Sequence, residues 1–179
     1  MKELLEGLKN IALGQKPQEL KIILPKGFHP PYLFFLYLLA KAIKARTIVE
    51  LGTAIGSATR HLAAAESSAR VYTYDIDVSL EEKLKELPIY PNIIFKNEDC
   101  RYPKDEIDNI DILFIDIEHN FSQTMAAYRI WKSKVRDGGL ICLDDIIFNE
   151  EMKKVWQEMP EPKIELNELH YTGFGVVKK

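Results

Sequence analysis

The sequence predicts a doubly wound α/β fold with a mostly parallel sheet, and three observations carry that prediction. Short apolar runs rich in Ile, Leu, Val and Phe recur at Thr47–Leu51, Val71–Tyr74, Asn92–Lys96, Ile110–Ile115 and Leu140–Leu143. Helix-forming segments lie between them. The first run leads directly into a turn bounded by Gly52 and Gly56, followed by a helical stretch from Ser57 to Glu66. Near-continuous apolar strands are those covered on both faces, and helical connections are what parallel strands require. Right-handed crossovers then place helices on both sides of the sheet.

A chain of 179 residues fits one domain, since a core of that size buries roughly two-thirds of the unfolded surface. The expected organisation is a single unit over 1–179, with an N-terminal helical cap segment over 1–45 and an α/β core over 46–179. Leu4, Leu5, Leu8, Ile11 and Ala12 form one face of a first helix that stops at Gly14. After a connector containing Pro17 and Pro25, Pro30-Pro31 opens a second helix running to about Ala45, because proline is tolerated in a first turn. At the other end, Lys163–Leu169 and Gly173–Lys178 read as a C-terminal antiparallel hairpin on the sheet edge. Trp131 and Trp156 stand among apolar neighbours at helical spacing and are assigned to the core.

Composition excludes several classes. Apolar residues make up 46% and charged residues 28%, near the globular average, so neither disorder nor a fibrous repeat is indicated. The net charge of −3 provides no basic stripe for nucleic acid. The most apolar stretch, Tyr32 to Ala40, falls short of the ~18 residues that span a bilayer. No signal-peptide pattern is seen at the N-terminus, and the expected location is cytoplasmic. Cys100 and Cys142 lie in no metal or redox motif and are expected to be free thiols.

The glycine turn points to a ligand. Gly52 can take a backbone angle closed to other residues, and Gly56 lets the main chain approach a bound molecule beneath a helix N-terminus. Asp75 ends the second strand 19 residues after Gly56, close to the ~20-residue offset at which an acid meets ribose hydroxyls. Asp77 is its neighbour and competitor. Glu50 lies inside the motif, at the end of a buried strand, where a carboxylate must find donors or face an open site.

Glu50-Leu51-Gly52-Thr53-Ala54-Ile55-Gly56-Ser57 resembles motif I of class I S-adenosylmethionine-dependent methyltransferases. The acid before the first glycine distinguishes it from the dinucleotide dehydrogenases, whose third glycine would fall at Ser57. The resemblance implies a Rossmann-like fold and S-adenosylmethionine as cofactor, held by Glu50, Gly52, Thr53, Gly56, Ser57, Asp75, Asp99, Cys100 and Asp116. It places the Asp99 side chain and the following amide at the adenine.

Two further acids, Asp116 and Asp144, end the fourth and fifth strands and should meet near the glycine turn. Clustered carboxylates at adjacent strand ends suit a hard divalent ion such as Mg²⁺. Alternatively, Asp144 or Asp145 caps a helix starting near Phe148 and Asp116 holds a loop amide. The run Phe114-Ile115-Asp116-Ile117-Glu118-His119-Asn120-Phe121, with Asp137-Gly138-Gly139 and Asp144-Asp145, is similar to the small O-methyltransferases of the catechol and cephalosporin-hydroxylase-like groups. That similarity implies Asp116, Asp144 and Asp145 as metal ligands. It sets His119 where the catechol type carries a lysine base, and a histidine there can take a proton near neutral pH, ligate a metal, or only hydrogen-bond a neighbouring carboxylate; Asp116 and His119 are the expected catalytic pair. The expected reaction is O-methylation of a small-molecule acceptor, with Phe28, His29, Pro31 and Tyr32 closing the pocket and a homodimer as a possible assembly. The other reading is a non-catalytic S-adenosylmethionine-binding module that docks a partner. His29, His61 and His170 show no partner in the sequence and are read as surface or packing residues.

Overall fold

The computed structural model describes residues 1–14, 30–77, 79, 90–104 and 106–179. The connector prolines Pro17 and Pro25, and Phe28 and His29 of the expected pocket lid, lie outside these residues. Helices α1 (Lys2–Gly14) and α2 (Pro31–Ala42) precede β1 (Thr47–Leu51), α3 (Ser57–Ala65), β2 (Arg70–Asp75), β3 (Ile93–Asn97) and β4 (Ile110–Ile115). Then come α4 (Phe121–Trp131), β5 (Val135–Asp144), α5 (Glu150–Glu158), β6 (Lys163–Glu165), a 3₁₀ turn at Asn167–Leu169, and β7 (Phe174–Lys178).

The seven strands form one sheet in the order β3-β2-β1-β4-β5-β7-β6. Strands β1 to β5 are parallel, β7 runs antiparallel between β5 and β6, and β6 closes the edge. The expected doubly wound sheet and C-terminal hairpin are therefore both present. Strand β6 ends at Glu165, so residues 167–169, expected to continue it, form the 3₁₀ turn instead. Strand β5 begins earlier than expected, because a register shift opposite Ile110 and Ile112 lets the segment before Leu140 bulge out.

Side-chain alternation along the strands divides the core into two layers. Ile48, Ile112, Phe114, Cys142 and Val176 pack with α1, α2 and α3 on one face. Val49, Leu113, Ile115, Ile141 and Val177 pack with Trp131 of α4 and Val155 of α5 on the other. Both faces are covered, which is why the strands read as apolar runs without alternation. The stripe expected on α1 is only partly used: Leu5, Leu8 and Ala12 are buried, whereas Leu4 and Ile11 stay exposed. Lys9 takes the buried place between them and bonds Glu168 at 2.9 Å and Glu6 at 2.8 Å.

Both tryptophans are core residues, and each also places its N–H. Trp131 donates from Nε1 to the Cys100 carbonyl at 2.7 Å, and Trp156 donates to Glu165 Oε1 at 2.6 Å. Gly175 on β7 lies directly under the Trp156 indole, where a Cβ would come within 2.5 Å of the ring. Gly175→Ala should therefore overpack this layer by about 1–3 kcal/mol. Thermal denaturation checks this, and an unchanged midpoint would show that the indole simply tilts away.

Candidate functional site at the sheet switch point

Chain order reverses between β1 and β4, and in open α/β sheets ligands bind in the crevice beyond the carboxyl ends of such strands. The glycine turn lies there. Gly52 has φ +94° and donates its N–H to the Tyr74 carbonyl at 2.9 Å. Its missing side chain matters because a Cβ would stand 1.8 Å from the Asp116 carbonyl oxygen. Gly52 thus admits the β4 backbone as well as supplying the turn. Gly56, φ +72°, is the N-cap of α3 and offers no capping side chain, so the first amides of that helix depend on outside acceptors.

Asp75 organises the turn from β2. Its Oδ2 accepts from the amides of Thr53 and Ala54, both at 3.0 Å, and its Oδ1 accepts from Asp77 N at 2.9 Å. Asp77, the competitor, is therefore a donor to Asp75 through its backbone. Asp75, Asp99, Cys100, Gly52 and Asp116 all line one cavity of about 210 Å³. The Asp99 carboxylate is gripped by Arg101, with Nε to Oδ1 at 2.9 Å and Nη2 to Oδ2 at 2.6 Å, and the guanidinium holds it below the usual carboxylate range. That grip was not expected from the sequence, and the adjoining backbone is engaged as well: Arg101 N donates to Asp99 Oδ1 at 2.9 Å and the Cys100 carbonyl accepts from Trp131. Cys100 itself is a buried free thiol, as is Cys142, and burial pushes it up to about 11.

A second cavity of about 250 Å³ adjoins the first, sharing Gly52, Ala54 and Asp116, and is lined also by Glu50, Thr53, Ser57, Tyr32 and His170. Glu50 is 1% exposed; its Oε2 accepts from Thr59 at 2.5 Å and Thr73 at 2.6 Å, while buried Oε1 has no hydrogen-bond partner. Burial pushes the carboxyl up to about 8 against those two hydroxyls, with Asp116 and Asp75 adding to the rise. A buried acceptor without a donor is costly. Glu50 lines this cavity, which a cationic ligand group could enter.

The acids at β4 and β5 are not helix caps: Asn149 caps α5, accepting from Met152 N at 2.8 Å. Nor do Asp116, Asp144 and Asp145 converge as one set among the described residues. The groups whose donor atoms come together are Asp116, His119 and Asp145, and Asp144, Asp145 and His170. His119 Nε2 stands 2.6 Å from Asp145 Oδ2 and 3.9 Å from Asp116 Oδ1. Those carboxylates, Asp116 foremost, hold its imidazolium above the ordinary histidine range against the effect of burial. His119 lines neither cavity.

His170 corrects the sequence reading, which assigned it to the surface or to packing. Its Nδ1 lies 2.8 Å from Asp144 Oδ1 and 3.0 Å from Thr172 Oγ1, and its ring centroid lies 4.8 Å from that of Tyr32, the planes tilted by 40°. Burial opposes its charge, but Asp144 outweighs that and raises its pKa; Asp144 in turn is pushed up by its own burial. Nothing near His170 in the sequence announces this. The hairpin does it, because Phe174 pairs with Asp144 and the preceding turn folds back over the end of β5. Thr73 could have been found, since it sits directly opposite Glu50 in the β1–β2 register. His61 is a buried packing residue, with Nδ1 2.7 Å from the Ser57 carbonyl.

This strand order, with β7 reversed and an acidic glycine turn at the switch point, is that of the class I S-adenosylmethionine-dependent methyltransferases. A family profile described as "Methyltransferase domain" matches residues 49–146, so the chain belongs to that family and is an S-adenosylmethionine-dependent methyltransferase. No curated protein sequence matches it. Among solved structures, a Staphylococcus aureus protein assigned as a caffeoyl-CoA O-methyltransferase superposes with a TM-score of 0.67 at 20% identity, covering 98% of this chain and 91% of that one. A Geobacter sulfurreducens methyltransferase gives 0.66 at 16%, covering 99% and 88%. A Bacillus cereus O-methyltransferase in complex with S-adenosylhomocysteine gives 0.64 at 19%, covering 98% and 90%. No described helix is long and apolar enough to cross a membrane.

Proposed function

We propose that the protein methylates a hydroxyl oxygen of a small molecule, with the nucleoside of S-adenosylmethionine in the Asp75 cavity and its amino acid part in the Glu50 cavity. The observation that carries this reading is the pair of adjoining cavities meeting at Gly52 and Asp116, one ending in Asp75 and the other in an unpartnered buried carboxylate oxygen. Ribose hydroxyls would add to the bonds Asp75 already accepts, and the ligand's ammonium would supply the donor that Glu50 Oε1 lacks. The assignment of the Staphylococcus aureus and Bacillus cereus structural neighbours as O-methyltransferases supports oxygen as the nucleophile.

In the transfer, the sulfonium S–CH₃ bond breaks as the acceptor O–CH₃ bond forms, the sulfur becomes a neutral thioether, and the hydroxyl proton needs a base. The protein's contribution is alignment and proton removal. His170 is better placed than His119 for the second task. It lines the cavity, and Asp144 holds Nδ1, so Nε2 is left for the acceptor. Tyr32, Ile55 and Tyr171 also line this cavity and favour a planar phenolic acceptor over a sugar. A divalent ion at the acidic cluster would act as a Lewis acid toward that hydroxyl.

Calorimetric titration with S-adenosylhomocysteine tests the cofactor assignment. Asp75→Asn should weaken binding by about 10- to 100-fold, and equal affinity in parent and variant would remove Asp75 from the site. Release of S-adenosylhomocysteine with phenolic acceptors tests the reaction. Cofactor binding without turnover on any acceptor would leave the partner-docking module as the function.

A further inference from the structure

We propose that Thr73 is a positioning residue for the cofactor: it links the Thr53 hydroxyl to the Glu50 carboxylate in one directed chain of hydrogen bonds, and so sets the Glu50 cavity to select an α-ammonium group. This deepens the methyl-transfer reading and rests on its placement of the cofactor's amino acid part at Glu50.

The direction of the chain follows from the single proton that each hydroxyl carries. Glu50 Oε2 accepts from Thr59 Oγ1 of α3 at 2.5 Å and from Thr73 Oγ1 of β2 at 2.6 Å. Thr73 has thereby given its proton to the carboxylate. In its 2.7 Å contact with Thr53 Oγ1 it can only accept, and Thr53 is the donor. Thr53 lines the cavity beside Glu50, and with its proton committed it offers a ligand lone pairs alone. Glu50 Oε1, buried and without a partner, offers the same once an entering cation favours the ionised carboxylate.

Both acceptors are held from behind. Two donors on Oε2 set the rotation of the carboxylate and leave Oε1 over. The Thr53 amide donates to Asp75 Oδ2 at 3.0 Å, so this residue is fixed between the two acids of the site. Thr73 is fully buried opposite Glu50 in the β1–β2 register and lines neither cavity, so it acts only through Glu50 and Thr53. An ammonium has three donors and no acceptor, which suits a pair of acceptors with no donor between them. An analogue without that group leaves both acceptors unpaired, the circumstance in which a polar site discriminates most strongly.

The test is calorimetric titration of the full chain with S-adenosylhomocysteine and with its desamino analogue, in which hydrogen replaces the α-ammonium. The parent should bind S-adenosylhomocysteine about tenfold or more the tighter of the two. Thr73→Val should weaken S-adenosylhomocysteine by about tenfold while the desamino analogue stays within about twofold, and Thr73→Ser should restore the parent affinity. A general loosening of the fold would weaken both ligands alike. If Thr73→Val does not fold, Thr53→Ala should give the same split between the ligands. The proposal is overturned if the variant that folds weakens both ligands equally or neither, or if Thr73→Ser fails to restore binding. A parent that binds the two ligands equally would instead overturn the placement of the amino acid part at Glu50, and the proposal with it.

Discussion

Gly52→Ala should cost about 4 kcal/mol or more of folding stability and abolish cofactor binding. Two effects add. The residue sits at φ +94°, where any L side chain is strained, and its Cβ would stand 1.8 Å from the Asp116 carbonyl oxygen and 2.7 Å from the carbonyl carbon. Neither obstacle can rotate away, because both belong to the backbone at the end of β4. Relief would require prising β1 from β4 at the point where Asp116 N donates to Leu51 O at 2.9 Å. Gly56→Ala is the internal comparison: at φ +72° it carries the left-handed penalty of about 1–2 kcal/mol. Urea denaturation of both variants measures the difference. A Gly52→Ala protein within about 1 kcal/mol of the parent would mean that the two strand ends part easily.

Glu50→Gln should reshape the pH dependence of stability. Burial holds the Glu50 carboxyl at about 8 instead of its ordinary 4.5. Between these values the folded chain keeps a proton that the unfolded chain has released, so this group makes stability fall as pH rises through that window. At 1.36 kcal/mol per unit the ceiling is about 4–5 kcal/mol by pH 9. Gln keeps an oxygen for Thr59 and Thr73 but cannot ionise. The variant should therefore match the parent near pH 5 and exceed it at pH 9, while binding S-adenosylhomocysteine less tightly because it offers the ammonium no charge. Parallel stability curves for the two proteins from pH 5 to 9 would show that Glu50 is not the group responsible.

The positions that local patterning exposes are those whose cause is local. Residues 110–115 read as a strand because each side chain enters one of two apolar layers, and Gly52 and Gly56 mark the turn because both adopt positive φ. Glu50 and Asp75 could be singled out because an acid at the end of an apolar run is costly without a partner, and spacing along the chain sets where each strand ends. The expected stripe on α1 failed in part for a complementary reason. A helix face is buried only where something lies against it, and Lys9 with its two acidic partners took the place that Leu4 and Ile11 did not fill.

Residue order along the chain thus settled the fold class, the glycine turn and the acids at four strand ends, since each follows from periodicity or from the energetic oddity of a charge in an apolar run. Folding in three dimensions chose the partners. His170 reaches Asp144 across 26 residues because β7 inserts antiparallel beside β5, and His119 beyond β4 meets Asp145 beyond β5. Such pairings depend on distances between chain segments that no local pattern encodes, so the partner of each histidine could be read only from the folded chain.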